Sequence, residues 1–324
     1  MRVIGRSEVS RLLDYRACIE LVGKAMADLS AGRSKQMLRQ VIPVARDNVL
    51  SVMGGVMSPQ IGFGSKVISV FPENARYGRQ AHQGIVVLFD PETGTPLSAI
   101  HAGELTRIRT AAASAVAVDA LARPESSRLA VLGYGEQGQA HAEAMTFVRP
   151  ISSVKIWGRS SERARRVADE LSRSLNLLVE PVDTVVEAVW EADIVCTTTA
   201  AADPILQGKW IADGTHVSLV GSSVAAYAEA DTDLVKRARF FADHREGVLR
   251  QGGEYLRAYA AGIVDEKHIL GEIGEVLNGR LPGRITDRDV TVYKSLGHIV
   301  QDIVCSRYVH DLAAQRGAGV SVTF

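Results

Sequence analysis

The 324-residue chain sets 37 Lys+Arg against 37 Asp+Glu and is 46% hydrophobic, the composition of a folded globular protein, which excludes intrinsic disorder. Zero net charge supplies no electrostatic footprint for nucleic acid or an anionic membrane, so neither is an expected partner. Three widely spaced cysteines, Cys18, Cys196 and Cys305, exclude a disulfide framework and a zinc knuckle and fit a reducing cytoplasm, and the histidines show no H-x-x-x-H pair that would suggest a metal.

At roughly 150 residues per domain the length suggests two domains. Arg2, Arg6, Glu8, Arg11 and Asp14 interrupt the apolar positions at the start. No later run reaches the roughly 18 apolar residues of a membrane span, so the expectation is a chain neither exported nor inserted. Apolar residues recur at helical spacing over 15–29 and predict an amphipathic helix. Segments with strand character follow at 41–44, 49–53, 63–71 and 84–89. Asp90-Pro91-Glu92-Thr93-Gly94-Thr95-Pro96 is turn chemistry, so 85–89 and 97–100 form a hairpin, and the first third reads as α+β with a largely antiparallel sheet. An Ala-rich helix over 110–121 runs into a polar, proline-containing joint at 122–128, where a domain boundary is expected. Beyond it, short apolar strands at 129–132, 154–157, 177–179, 194–197, 216–220 and 240–242 alternate with helical stretches, the pattern of a parallel, doubly wound sheet. After about Asp243 the pattern is mainly helical.

Gly133-Tyr134-Gly135-Glu136-Gln137-Gly138 follows the strand 129–132 and opens a helix, the context a dinucleotide fingerprint requires. Gly133 permits the tight turn, Gly135 lets the backbone approach a pyrophosphate, and Gly138 lets the helix pack on the strand, with the helix N–H groups from Glu136 and Gln137 onward facing the anion. At the second strand end, Ile156-Trp157-Gly158-Arg159-Ser160-Ser161 carries no acid for an adenosine ribose. A guanidinium at Arg159 and hydroxyls at Ser160 and Ser161 suit a 2′-phosphate, so NADP(H) is the preferred cofactor and NAD(H) the alternative. The competing reading makes Arg159, with Arg163, Arg165 and Arg166, only the solvated start of the next helix. Thr197 and Thr198 stand at a strand's carboxyl end, where such a sheet binds its ligand, or else form a polar turn.

Gly64-Ser65-Lys66, His82-Gln83-Gly84, a hairpin ending near Gly103, Thr106-Arg107-Ile108-Arg109-Thr110-Ala111-Ala112, the glycine loop and Thr291-Val292-Tyr293-Lys294-Ser295-Leu296-Gly297 occur in this order. Together they resemble the ornithine cyclodeaminase and μ-crystallin family. The resemblance implies an NAD(P)-dependent homodimer that acts on imines of small amino or 2-oxo acids. It implies a Rossmann-type domain at 123–299 and an α+β substrate and dimerisation domain assembled from 1–122 and 300–324. Arg39, Lys66 and Arg109 match the family's substrate-facing cations, and Thr110 and Gly221 fall at cofactor-contacting positions. Physically, the planar fork of Arg109 suits a carboxylate, and a buried Lys66 would shift its pKa and exchange a proton with substrate nitrogen. His82 either donates to a carboxylate or orients the core.

Cyclodeaminases place an aspartate two residues after a strand-end glycine. Here Gly221-Ser222-Ser223 puts Ser223 at that position, where a hydroxyl is a poor base and gives an ammonium little charge stabilisation. With Lys66, Arg109 and Ser223 as the reacting set, the implied activity is reduction of the C=N of a small 2-imino acid or cyclic ketimine, such as Δ1-pyrroline-2-carboxylate or Δ1-piperideine-2-carboxylate, to an L-amino or imino acid. Ornithine cyclodeamination and alanine-type dehydrogenation are the alternatives.

Overall fold

The computed structural model describes residues 1–46 and 48–323; Phe324, the end of the expected 300–324 segment, lies outside them. The chain divides into two compact units, Met1–Thr110 with Gly297–Phe324, and Ala111–Leu296.

An eight-stranded sheet organises the first unit, in the order Val320–Ser321, Arg2–Ile4, Pro96–His101, His82–Phe89, Phe63–Val70 and Asn48–Val56, with Lys35–Gln36 and Gln40–Ala45 both pairing with the last. Its pairs are antiparallel except Arg2–Ile4 with Pro96–His101. The expected hairpin is present, and its turn is fixed by Asp90, whose Oδ1 accepts from the backbone N–H groups of Glu92 and Thr93. Because strand side chains alternate between faces, Met53, Lys66, Val86 and Ile100 form one buried row across four strands. Helix Ile299–Gln315 packs against these strands, and helix Tyr15–Ser30, capped by Asp14, packs on that helix. The adjacent row turns Val67 and Ile85 to the other, open face.

The second unit carries a fully parallel sheet in the order Leu178–Val182, Ser153–Trp157, Arg128–Leu132, Ile194–Thr197, His216–Leu219, Thr291–Lys294, Arg239–Ala242 and Ile269–Glu272. The order reverses between Arg128–Leu132 and Ile194–Thr197, so the glycine loop lies at a topological switch point. Two strands of this sheet, Thr291–Lys294 and Ile269–Glu272, fall in the stretch after Asp243 that reads as mainly helical, and Val320–Ser321 of the first unit's sheet is a third. Thr291–Lys294 is four residues, all buried, too short and too enclosed on both faces to show an alternation.

The division between units also differs from the sequence reading. Helix Ala102–Leu121 begins well before residue 110, so Arg109 lies within the helix and not at its start, and the units part inside it, after Thr110, and again before Gly297. The polar joint at 122–128 is instead a link within the second unit: Asp193 accepts from the backbone N–H groups of Ser127 and Arg128 and pairs with Arg123 at 2.8 Å. Among the described residues no helix is long and apolar enough to cross a membrane.

Candidate functional sites

In the first unit, strand Phe63–Val70 carries Lys66 in the buried row, where an apolar residue would be expected. Its Nζ lies 2.8 Å from Asp302 Oδ2, while Arg109 Nε donates to Asp302 Oδ1 at 3.1 Å and Arg109 Nη1 donates to Gln301 Oε1 at 2.7 Å. Asp302 stands in the first turn of helix Ile299–Gln315, where the helix dipole favours a carboxylate. All three charged side chains are at most 3% exposed, so two cations share one carboxylate out of water. Burial works against ionisation of Asp302, yet Arg109 and Lys66 hold its carboxyl below the ordinary value. Burial, opposed by Asp302 and reinforced by Arg109 and Arg39, lowers Lys66 to about 7.

Arg39 is half-buried, and its Nη2 donates to Gly297 O at 3.5 Å. Gly297 has a φ of +75°, and a Cβ there would stand 2.6 Å from Arg109 Nη1, so glycine leaves the guanidinium its room. His82 keeps an exposed flank. The crowding of protein around it, then the charges of Lys66, Arg39 and Arg109, lower its pKa to about 4, which leaves the ring neutral at neutral pH. Two findings go beyond the sequence reading. Asp302 and Gln301 were not among its candidates, and the fork of Arg109 is already engaged at Nε and Nη1. Thr110 ends this unit, 9% exposed.

In the second unit, Gly133 has a φ of +119° and its N–H donates to Trp157 O at 2.8 Å. A Cβ on Gly138 would stand 1.8 Å from Gly133 O, whereas one on Gly135 would meet nothing within 4 Å. The helix is therefore pressed onto the loop at Gly138 and open above Gly135, where helix Glu136–Met145 presents its first-turn N–H groups. That is the cradle a pyrophosphate fits. Thr198, half-buried, donates through Oγ1 to Leu132 O at 3.2 Å and Gly133 O at 3.3 Å. Thr197, the last residue of strand Ile194–Thr197, is fully buried, and its hydroxyl donates to Glu229 Oε2 at 2.7 Å. Gly221 is exposed and Ser223 half-buried on the loop that leaves strand His216–Leu219.

Arg159 is exposed just beyond strand Ser153–Trp157. Ser160 is the N-cap of helix Ser161–Leu175, its Oγ accepting from Arg163 N at 3.3 Å, a use of the residue that the sequence reading did not give it. Asp183, just past the neighbouring strand, accepts from Ser161 Oγ at 2.7 Å, so an acid does reach this corner, from a different strand. Among the described residues no cluster of three His, Cys, Asp or Glu is placed to hold a metal ion.

A doubly wound parallel sheet with a glycine loop at its switch point defines a Rossmann-type dinucleotide fold. A model of the ornithine cyclodeaminase/mu-crystallin family matches residues 2–317, and the chain belongs to that family. It is 33% identical over 326 residues to a Delta(1)-pyrroline-2-carboxylate reductase of Bacillus cereus, covering the whole of both chains. It is 33% identical over 291 residues to the ketimine reductase mu-crystallin of Mus musculus, covering 89% of each. The solved structure of Thermococcus litoralis Delta(1)-pyrroline-2-carboxylate reductase in complex with NADH and L-proline is similar with a TM-score of 0.97 and 31% identity, over 99% of this chain and 100% of that one.

Proposed function

We propose that this protein is an oxidoreductase that reduces the C=N bond of a small 2-imino acid or cyclic ketimine, such as Δ1-pyrroline-2-carboxylate or Δ1-piperideine-2-carboxylate, to an L-amino or imino acid. The names of the two relatives and the NADH and L-proline held by the Thermococcus structure support this reading. The observation that carries it is the buried excess of positive charge, Lys66 and Arg109 sharing the single carboxylate of Asp302. Buried cations without full compensation are costly, so the group is complementary to one more carboxylate, which the substrate brings. Arg109 and Arg39 bind that carboxylate, and Asp302 with Gln301 orients Arg109. Lys66 holds a proton on Nζ near neutral pH and passes it to the imine nitrogen, which makes the adjacent carbon electrophilic. The loop 133–138, with Thr198 and Gly221, would hold the dinucleotide, which when bound would supply the hydride.

Purified protein mixed with Δ1-pyrroline-2-carboxylate is expected to oxidise NAD(P)H, followed by loss of nicotinamide absorbance. Ammonia released from L-ornithine with no net change in the dinucleotide would assign the cyclodeaminase reaction instead.

Preference for NADP(H) rests on Arg159, exposed beside the glycine loop with no acid on its own strand end. Arg159→Ala should raise the NADPH KM by on the order of 10- to 100-fold, the loss of a charge-assisted partner worth about 1.5 to 3 kcal/mol, and leave the NADH KM nearly unchanged. Equal losses for both cofactors would show that Arg159 serves the fold.

The protein acts as a homodimer in the cytoplasm. The open sheet face of the first unit supports the dimer, with Ile42 54%, Val67 37% and Ile85 46% exposed on one side, an apolar surface of the kind that subunits cover. Ile85→Glu is expected to shift the molar mass measured by light scattering from dimer to monomer. The cytoplasmic reading is supported by three cysteines that all remain free thiols.

A further inference from the structure

One row of paired residues, Leu132, Thr197, Leu219, Lys294 and Ala242, crosses the second unit's sheet at its carboxyl ends. The loops that leave this row form the edge where a doubly wound sheet binds its ligand. Behind two of them lies Glu229, fully buried and unused by the mechanism above. Its Oε2 accepts from Thr197 Oγ1 at 2.7 Å and from Gly221 N at 2.6 Å. Its Oε1 accepts from Thr199 N and from Thr199 Oγ1, each at 2.7 Å. An ionised carboxylate offers about four lone-pair sites, and here each is taken by a loop donor.

A second buried pair reinforces the first. Glu229 N donates to Glu254 Oε1 at 3.0 Å, Lys294 Nζ lies 2.8 Å from Glu254 Oε2, and the same Nζ donates to Ser222 O at 2.8 Å. Thr198 then ties the threonine loop to the glycine loop through Gly133 O. The donors to Glu229 lie on one side of the switch point, past strands Ile194–Thr197 and His216–Leu219, while Arg159 and the adenosine-side strands lie on the other.

We propose that Glu229 is a positioning residue: its carboxylate holds the loops at 197–199 and 221–223 as a fixed seat for the nicotinamide half of NAD(P)H. The proposal rests on the dinucleotide reading given above. A carboxylate is suited to this because its donors are short and charge-assisted, so the loops are set before the ligand arrives and binding does not have to order them.

The test separates the two halves of the cofactor. NADPH and NADH are titrated by nicotinamide fluorescence, and ADP-ribose, which lacks nicotinamide, by calorimetry, on wild type, Glu229→Gln and Thr197→Val. A glutamine amide turned toward either donor pair sets donor against donor, so Glu229→Gln should weaken NADPH and NADH by about tenfold or more while ADP-ribose affinity stays within about twofold. Thr197→Val keeps the shape and removes one donated bond, so it should show the same selectivity with a smaller loss; it decides the matter alone if Glu229→Gln does not fold. Parallel weakening of all three ligands, which general loosening of the fold would give, overturns the proposal, and so does no weakening of any. If wild type binds ADP-ribose but neither NADH nor NADPH, the dinucleotide reading itself falls, and this one with it.

Discussion

Lys66→Met is expected to lower kcat for imine reduction by on the order of 10²- to 10⁴-fold, the range that a positioned proton donor contributes, with the chain still folded. Methionine keeps most of the lysine stem in the buried row between Met53 and Val86. Asp302 keeps Arg109 as its partner, so the substitution leaves no orphaned buried carboxylate. The pH profile gives the sharper readout. Lys66 is lowered to about 7, chiefly by burial, and reduction needs the proton on Nζ. In the wild type, kcat/KM for reduction should therefore be level on the acid side and fall as pH rises through about 7, while the reverse oxidation should rise through the same region. Lys66→Met should lose that limb in both directions. Near-normal kcat across this range, with only a weaker substrate KM, would make Lys66 a passive carboxylate ligand.

How much of this was legible in the sequence follows from how local each feature is. The glycine loop, the hairpin turn at Asp90 and the helix behind Asp14 are each specified within a few consecutive residues, and the structure forms all three. Lys66 and Arg109 stood out as cations in contexts that resemble a family. Their shared partner did not, because Asp302 lies 236 and 193 residues away along the chain and looks, in sequence, like one more acid in a helix's first turn. The same holds for Glu229, whose donors come from loops up to 32 residues distant. Strand Thr291–Lys294 enters the middle of the sheet out of chain order, between His216–Leu219 and Arg239–Ala242, and no local period encodes that insertion. Ser160 shows the converse: its hydroxyl reads equally as an anion ligand and as a helix cap, and only the structure shows the cap.

Asp302→Asn should be the most damaging single change to stability in the first unit. It leaves Lys66 and Arg109, both buried, without a counter-charge, and breaking a buried pair in this way typically costs about 3 to 5 kcal/mol. The pH dependence carries the signature. Without Asp302 the main influence that raises the Lys66 pKa is gone, so Lys66 should titrate below its wild-type position of about 7. Stability rises with pH wherever the unfolded chain binds more protons than the folded one. Between the variant's lowered pKa and about 7, folded variant has lost the Lys66 proton, whereas the wild type and both unfolded chains retain it. In that window the variant gains stability with pH and the wild type gains none from this group. The deficit should accordingly be largest in acid, shrink as pH approaches about 7, and stay constant above it, where Lys66 deprotonates in both proteins. Thermal unfolding of the two proteins from about pH 5 to about pH 8 measures it. The descending limb of kcat/KM should move acidward in step, with activity at neutral pH largely lost. A deficit that is flat across the whole range would show that Asp302 stabilises through Arg109 alone, and that Lys66 does not carry its charge in the folded protein.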